Sequence, residues 1–566
     1  MIDVKIKLKK TLFAFVVTFL AVPMFAATIT WTGGISTDWN TSGNWDGASV
    51  PTASDDVIIP NVSNDPIIAN GETHEVNDLT IASGAIVRIG PDSGSSGATL
   101  KVNGDVDNEG IIFSNENSSL VLLGAYTTTK TESFANSRTV YGDLSYSAYS
   151  VPFSDGSIAL FNGVFSYEYN NETGAYDALS FSTATEAGKG YFVSISGGST
   201  SFTLGFGGTP IDEDVNIAIT KGTSDDFNLV GNPYTAAISV SDFLANSNNS
   251  SNTTGVVYLW DDGGSNSGSD RLGDYITVNS MGAVGTDDLG DGTAGVKGES
   301  VFDGYITTMQ GFFVEATANG NVSFTQDMQV TGNNADANFY RLAEDPRTKL
   351  KLSLVKDGVS TSTLIGFDEN ATLGVDYSLD AKKLKVEETI SIYSVRDEVP
   401  YAIQALPLLA GEEVTIPIAL DAPTKGTYQL FVSELINLPA NHRAHLHDHV
   451  TEATYELNVE TMIEFTSEVV TNNARFTLSF QPEIVANVEA QLTENLVLLG
   501  ASLDELTIQY PASSAAVSIY ELDGRMVFTE EVALASNQAV LEVALQESTV
   551  YILRIADETV KFSIKK

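Results

Sequence analysis

Short runs of β-favouring residues, each ended by a turn-forming cluster, recur along almost the whole chain. Segments rich in Val, Ile, Thr, Tyr and Phe alternate with clusters of Gly, Asn, Asp and Ser, and the 3.6-residue period of amphipathic helices is scarce. β-Branched and aromatic residues favour strands, whereas glycine supplies the positive backbone angles that tight turns need. The sequence therefore predicts an all-β protein.

Length and local changes in composition predict several domains. A single hydrophobic core stops growing at roughly 250–300 residues, and this chain has 566. We predict a removable N-terminal segment, a Trp-rich stacked-strand module, a β-domain with long polar loops, a β-sandwich-like domain and a small C-terminal β-sandwich. Their predicted bounds are 1–26, 27–128, 129–345, 346–485 and 486–566.

The N-terminus has the composition of a secretory signal peptide. Its positive stretch contains four lysines, Lys5, Lys7, Lys9 and Lys10. The apolar run Leu12–Val22 follows, and small residues stand at Ala26 and Ala27. This run is short for a spanning helix and no stop-transfer pattern follows it, so we favour a cleaved signal peptide over a membrane anchor. No other apolar run approaches spanning length, which predicts no transmembrane segment in the mature chain.

Two zones differ in their local sequence pattern. In 27–128, the strings LTIASGAIVRIG, ATLKVNGDVDNEGIIF and SSLVLLG place brief strands between turns at near-regular distances, which predicts stacked strands or a solenoid. In 129–345, the stretch between Asn246 and Gly298 is rich in Asn, Gly, Ser and Asp. We expect that stretch to form surface loops and hairpin tips without a core.

Charge and cysteine content exclude several classes of partner and chemistry. The 73 acidic residues outnumber the 29 basic ones, for a net charge of −44. Nucleic acid and anionic membranes are polyanions, so neither is an expected partner, and cations are the natural counterparts. Cysteine is absent, so stability must come from packed cores or bound ions, not from disulfides.

Three tryptophans near the start, Trp31, Trp39 and Trp45, have two interpretations. Exposed indole rings can form a stacking platform for sugars. Tryptophans close to Gly and Asn turns can instead fix the opening loops of a module by burial. The sequence leaves both alternatives open, and we favour burial.

Four of the five histidines stand in the string NHRAHLHDHV, at His442, His445, His447 and His449. If 444–450 is a strand, His445, His447 and His449 share one face about 6–7 Å apart, and Asp448 points to the other face. Two imidazoles in a His-x-His pair can chelate a transition metal. The alternative is a solvated strand face that happens to be rich in histidine.

Two acidic loops, residues 260–270 and 287–292, have the oxygen ligands and glycines that calcium sites use. Neither has the ligand spacing of an EF-hand, and hairpin tips explain them equally well. The cofactor prediction is accordingly none, or else calcium or a transition metal. The sequence contains no G-x-S-x-G, H-E-x-x-H or phosphate-binding glycine motif, so we predict no catalytic residues.

Several phrases resemble modules of secreted Bacteroidota proteins. They are GKGYFV (188–193), FNLVGNPYTAAI (227–238), QGFFVEA (310–316) and LHDHVTEATYEL (446–457), in which Leu446 and Asp448 match the pattern. The second phrase places Gly231, Asn232 and Pro233 in a tight turn after a buried strand.

The last zone resembles the type A C-terminal sorting domain of the type IX secretion system. The resemblance rests on Tyr520, Gly524, Arg525, Tyr551 and the ending VKFSIKK, which contains Lys561. It implies recognition by the type IX machinery and transport across the outer membrane. It also implies release into the medium or attachment to surface lipopolysaccharide.

We therefore expect a secreted or cell-surface protein. The main hypothesis is a non-catalytic β-protein acting in adhesion, matrix structure or glycan binding. The alternative is an exported hydrolase, for example one that acts on polysaccharides. Its carboxylates would be contributed by distant loops. Metal capture by the histidine strand is a third, narrower hypothesis.

Overall fold

The structure of the protein is a computed structural model. It describes residues 27–90, 97–115, 117–141, 146–156, 161, 164–180, 182–194, 201–261, 274–288, 304–331, 346–384, 389–482, 496–535, 537–546, 549–556 and 558–563. Regular structure in these residues is almost entirely β-sheet, so the all-β, multidomain fold class is confirmed. The signal-peptide prediction concerns residues 1–26, which lie outside the described ranges. In the described ranges, no helix has the length and apolar character needed to span a membrane.

The first region is a three-sided stack of short parallel strands. Its strands are β1 (Thr28–Thr30), β2 (Asp56–Ile59), β3 (Ile67–Ile68), β4 (Thr73–Val76), β5 (Leu79–Ile81), β6 (Ile86–Ile89), β7 (Thr99–Val102), β8 (Val106–Asn108), β9 (Ile111–Ser114), β10 (Ser119–Leu122), β11 (Tyr126–Thr127) and β12 (Phe134–Tyr141). A 3₁₀ turn spans Ser42–Asn44. The three sides have the strand orders β1-β2-β5-β8-β11, β4-β7-β10 and β3-β6-β9-β12. The predicted stacked-strand module is therefore a solenoid.

Apolar residues stack in register inside this solenoid. Leu79 pairs with Val57 on one side and with Val106 on the other, and all three are buried. Each rung cannot bury its apolar face alone, so stacking on the neighbouring rungs creates the core. Loops of unequal length separate the strands, which explains why the sequence repeat is too irregular to define a rung length.

The second region is antiparallel and contains the two α-helices found in the described ranges. Its elements are β13 (Tyr146–Tyr149), β14 (Phe165–Asn170), β15 (Ala175–Ala178), β16 (Tyr191–Ser194), β17 (Ser201–Gly208), β18 (Val215–Ile219), β19 (Phe227–Gly231), β20 (Ile238–Ser239), α1 (Val240–Ala245), α2 (Ser247–Asn252), β21 (Thr253–Asp261), β22 (Asp274–Asn279), β23 (Gly282–Val284), β24 (Thr286–Asp288), β25 (Tyr305–Ile306), β26 (Gly311–Ala316) and β27 (Gly320–Phe324). Its two main sheets have the orders β13-β16-β14-β15 and β19-β26-β21-β22-β23. A 3₁₀ turn, Gln326–Met328, follows.

The expectation that the stretch between Asn246 and Gly298 lacks a core is wrong for its described part. Strands β21 and β22 pair in the middle of the five-stranded sheet. Val257, Leu259 and Val278 from these strands are buried in the hydrophobic core. The average composition of the stretch is polar, but β21 is an apolar strand that is buried on both faces, with Val257 in one hydrophobic cluster and Tyr258 in another.

The turn after β19 is held by one buried amide. Asn232 donates from Nδ2 to the carbonyl oxygens of Ala236, Ile306 and Thr307, at 2.8, 3.1 and 3.0 Å. Its Oδ1 accepts from the backbone N–H of Tyr234 at 2.9 Å. A Cβ atom on Gly231 would lie only 2.4 Å from Cβ of Ser150, so this close approach requires glycine. The predicted turn at 231–233 is confirmed.

The third region is one long sheet that folds back on itself. Its strands are β28 (Lys349–Lys356), β29 (Val359–Phe367), β30 (Ala381–Lys382), β31 (Ser391–Arg396), β32 (Val399–Leu406), β33 (Val414–Ala422), β34 (Gly426–Ile436), β35 (His442–Asp448), β36 (Ala453–Glu456), β37 (Met462–Ser467) and β38 (Val470–Pro482). The main order is β36-β35-β38-β33-β31-β32-β29-β28-β34-β37.

Contacts across this sheet show the sandwich. Strands β29 and β38 are four steps apart, which in a flat sheet would separate them by about 19 Å. The rings of Phe367 and Phe480 on these two strands nevertheless contact, with centroids 4.8 Å apart. The inner faces therefore pack on each other, as the alternation of apolar and polar residues predicted.

The final region has two small sheets with its own core between them. Its strands are β39 (Val497–Ala501), β40 (Glu505–Gln509), β41 (Ser514–Glu521), β42 (Met526–Ala533), β43 (Gln538–Glu542), β44 (Val550–Ile555) and β45 (Glu558–Ser563). The sheets have the orders β39-β40-β43 and β42-β41-β44-β45. Buried residues from both, among them Leu506, Ile519 and Leu553, form one cluster.

Candidate functional site

The three N-terminal tryptophans lie together inside the start of the solenoid. The exposed fractions of Trp31, Trp39 and Trp45 are 0, 0 and 2%. The Trp45 ring meets the other two edge to face, with centroids 4.9 Å from Trp31 and 4.8 Å from Trp39. The indole N–H of Trp45 donates to the Trp39 carbonyl at 2.9 Å. A stacking platform requires an exposed ring face, and these buried rings present none in this conformation.

A different group of aromatic residues reaches the surface at the edge of the second region. Tyr169 of β14 and Tyr176 of β15 are cross-strand neighbours, and their ring centroids are 5.2 Å apart. Phe165 lies on the same face of β14, because residues at even spacing along a strand share a face. Phe165 is 56% exposed and Tyr176 is 46% exposed. We call Phe165, Tyr169 and Tyr176 the aromatic ledge.

The inner side of the ledge rests on the hydrophobic core. Tyr169 contacts Phe313 edge to face at 5.1 Å, and Tyr176 contacts Phe192 in the same manner at 5.0 Å. The Tyr169 hydroxyl donates to the carboxylate of Asp225. Burial, followed by this hydrogen bond and the negative charge of Asp225, raises the pKa of Tyr169 well above its usual value. The hydroxyl therefore stays protonated and the ring is held in place.

Sequence reasoning did not select the ledge, although a signal for it exists. The string FSYEYN in β14 alternates aromatic with polar residues, which is the pattern of a strand with one aromatic face. The pattern cannot distinguish an aromatic face that is fully buried from one that is partly exposed. That difference depends on how far the neighbouring sheet extends.

The histidine strand has the predicted alternation. In β35, Ala444, Leu446 and Asp448 are buried and His445 and His447 lie on the opposite face, which His449 continues in the turn that follows. His447 and His449 are brought together, with ring centroids 4.8 Å apart and an interplanar angle of 78°. His442 is separate from them, because it is buried and its Nε2 lies 2.8 Å from the Ala410 carbonyl oxygen.

A buried ion pair lies on the inner face of this strand. The Asp448 carboxylate is fully buried and accepts two hydrogen bonds from Arg475, at 2.8 and 2.7 Å. It also accepts from the Val450 N–H and the Thr451 hydroxyl, each at 3.0 Å. Burial disfavours the charged carboxylate, but these hydrogen bonds outweigh it and lower the pKa of Asp448 to about 2. The Arg475 guanidinium lies over the Phe465 ring at 4.4 Å.

The metal-binding predictions concern residues within the described ranges and residues largely outside them. Within the described ranges, no three His, Asp or Glu side chains already converge as a ready metal site. The calcium predictions for 260–270 and 287–292 fall mainly on 262–273 and 289–303, which lie outside the described residues.

The sorting-motif residues occupy three places in the final region. Tyr520 of β41, Ile552 of β44 and Lys561 of β45 are successive cross-strand neighbours. Gly524, with a φ of 89°, and Arg525 lie in the turn between β41 and β42, where the Arg525 side chain pairs with Glu521. Tyr551 is buried on the other face, stacked on Phe562 at a centroid distance of 5.6 Å, and its hydroxyl accepts from the Gln546 N–H.

Comparisons with known proteins identify two matching families. Residues 30–480 match a family described as a domain of unknown function, DUF8693. Residues 502–566 match a family described as a secretion system C-terminal sorting domain. No curated protein matches the chain. The type IX sorting tail confirms that the protein is a secretion substrate destined for the medium or the outer cell surface. The chain belongs to the DUF8693 family and ends in a type IX C-terminal sorting domain.

Proposed function

We propose that the protein is a non-catalytic extracellular binding protein whose ligand is an uncharged glycan held on the aromatic ledge. The single observation that carries this proposal is the partial exposure of Phe165 and Tyr176 on one face of the β14–β15 pair. Single exposed apolar residues are common on protein surfaces, whereas neighbouring exposed apolar residues more often mark a site of contact with a partner. Aromatic rings combine a large apolar face with a fixed geometry, which suits the C–H faces of sugar rings.

The dimensions and charge of this surface favour an extended, neutral polysaccharide. Phe165 and Tyr169 are four residues apart along β14, which corresponds to about 13 Å. That length accommodates several residues of an extended glycan. The net charge of −44 disfavours polyanionic glycans through long-range repulsion.

The described buried carboxylates support binding over hydrolysis. Glu315, Asp380 and Asp448 are buried, and their partners are Lys382, Arg396 and Arg475. Glycosidases need two carboxyl groups facing a sugar, one of them protonated near neutral pH. Each of these three carboxylates is paired with a cation, so none of them is a protonated group that faces a sugar.

The test is affinity electrophoresis of the full secreted chain through gels that contain neutral polysaccharides, namely β-glucan, xylan, mannan and starch. We expect retardation by at least one of them and loss of most of this retardation in Tyr176→Ala and Phe165→Ala. The matched control is Tyr377→Ala, because Tyr377 is also exposed but lies outside the ledge.

Two results would overturn the proposal. One is wild-type migration in every gel, or equal retardation of the wild type and both ledge variants. The other is release of reducing ends from any of these polysaccharides, which would make the protein a hydrolase. Circular dichroism of each variant separates loss of binding from loss of folding.

A further inference from the structure

We infer that His447, His449 and Glu452 form a binding site for a divalent transition metal of the zinc class, on the outer face of the third region. This inference is independent of the glycan proposal, because the site and the aromatic ledge share no residue. It also differs from the three-histidine site expected from the strand alternation, because Glu452 replaces His445.

The two imidazole rings are close enough to bind one metal ion. With a Zn–N distance of about 2.1 Å and tetrahedral angles, two rings on one metal have centroids about 5 Å apart. The rings of His447 and His449 have centroids 4.8 Å apart and an interplanar angle of 78°. No three ligands converge in the present side-chain positions of the described residues, so binding requires side-chain rotations that turn one nitrogen of each ring towards a common ion.

Threonine hydroxyls on the two flanking strands contact one nitrogen of each ring. His447 Nδ1 lies 3.0 Å from Thr454 Oγ1 on β36, and His449 Nε2 lies 2.8 Å from Thr477 Oγ1 on β38. With the hydroxyls accepting, those ring nitrogens carry protons, and the lone pairs belong to His447 Nε2 and His449 Nδ1. Metal-bound histidines are commonly oriented by such a hydrogen bond from the second nitrogen.

Glu452 supplies the third ligand. One of its carboxylate oxygens lies 3.7 Å from His447 Nε2, the nitrogen that is not in contact with Thr454. The carboxylate is 79% exposed, so its side chain can rotate towards an ion without breaking a packed contact. Two imidazoles and one carboxylate, with water in the fourth position, form a known zinc-binding set.

The backbone beneath these ligands is held in place. The Glu452 N–H donates to the Asp448 carbonyl at 2.8 Å, which closes the turn with Glu452 at a φ of 57°. The same turn is fixed through the Asp448 carboxylate, which binds Arg475 and two groups of the turn. A preorganised backbone reduces the entropy lost when the side chains bind an ion.

His445 differs from His447 and His449 in its surroundings. It lies on the same face of β35, but its Nδ1 is buried and has no hydrogen-bond partner among the described residues. No threonine contact orients this ring in the way that Thr454 and Thr477 orient the others. His445 is therefore a matched control on the same strand.

The test is isothermal titration of the metal-free full chain with Zn²⁺, together with Cu²⁺ electron paramagnetic resonance. We expect one ion per chain with micromolar or tighter affinity, and a copper spectrum with splitting from two nitrogens. His447→Ala and His449→Ala should each weaken binding by 10-fold or more. Glu452→Gln should weaken it less, because it retains both imidazoles, and His445→Ala should bind like the wild type.

Three results would overturn the inference. They are no Zn²⁺ or Cu²⁺ binding by the wild type, binding that survives the His447→Ala/His449→Ala double variant, and equal loss in His445→Ala. Thermal unfolding of the variants shows whether a loss of binding follows from a loss of folding. Polysaccharide retardation by the same variants should stay unchanged, so failure of this site and failure of the glycan proposal are distinguishable.

Discussion

At the scale of single residues, the most consequential interactions in this structure are between buried polar groups. The bidentate contact between Asp448 and Arg475 lies between the two faces of the third region, and both side chains are almost fully buried. Removing one member of such a pair leaves the other charged and desolvated, which costs far more than the pair contributes. The resemblance in the sequence marked Asp448, but its partner Arg475 became visible only from the strand pairing.

We predict that Asp448→Asn destabilises the third region by about 3–5 kcal/mol, because Arg475 loses its counter-charge while staying buried. The measurement is denaturant unfolding followed by near-ultraviolet circular dichroism. Asp357→Asn is the matched control, since Asp357 is exposed and its pairing with Lys356 contributes little. Equal stability of the two variants would contradict the prediction.

The same carboxylate predicts a dependence of stability on acid. Its pKa is lowered from 3.8 to about 2 in the folded protein, so the folded state binds this proton less readily than the unfolded state does. The resulting stabilisation is fully present above about pH 4 and is lost as the pH falls through about 2. Acid titration of unfolding should show a shallower loss between these values for Asp448→Asn than for the wild type.

At the scale of elements, short sequence motifs predict where turns occur, but they do not show which distant strands each turn contacts. The turn after β19 was predictable from Gly231, Asn232 and Pro233. The structure adds that Asn232 ties this turn to the carbonyl groups of Ile306 and Thr307, far along the chain. This amide therefore links β19 to β25 as well as shaping the turn.

We predict that Asn232→Ala destabilises the second region by about 2–4 kcal/mol, because several buried backbone groups lose their partner at once. Thermal unfolding of the full chain measures this, and Asn370→Ala serves as control because Asn370 is exposed. A melting curve unchanged by Asn232→Ala would contradict the role assigned to the amide.

At the scale of the whole molecule, the regions differ in how they are joined. The solenoid and the second region share a core that includes Phe134, Phe153 and Tyr191, and β12 pairs with β17. The backbone and hydroxyl of Thr235 also bond to Leu120, at 3.1 and 2.8 Å. The second and third regions share a core that includes Phe192, Phe313 and Ile403. The final region has a core made of its own residues, consistent with a separate tail family.

We predict that deleting residues 502–566 leaves the rest of the protein folded but retained inside the outer membrane. The tail is the part that the secretion machinery recognises, and the core of the remaining regions does not include it. Immunoblots of periplasm, outer membrane and medium provide the measurement in the native producer. The full chain with the exposed substitution Val540→Ala is the control, and truncated protein in the medium would contradict the prediction.

The sequence by itself predicted the all-β fold class, the turn at 231–233, the common face of the histidines and the secretion tail. Each of these depends on residues close together in the chain, where alternation and turn chemistry act directly.

Tertiary structure alone decided the burial of the three tryptophans, the central position of β21 and β22, and the surface position of the aromatic ledge. It also decided the meeting of His447 with Glu452 and the two threonines. These features depend on which distant strands pair and in what register, and the same local alternation is compatible with many such pairings.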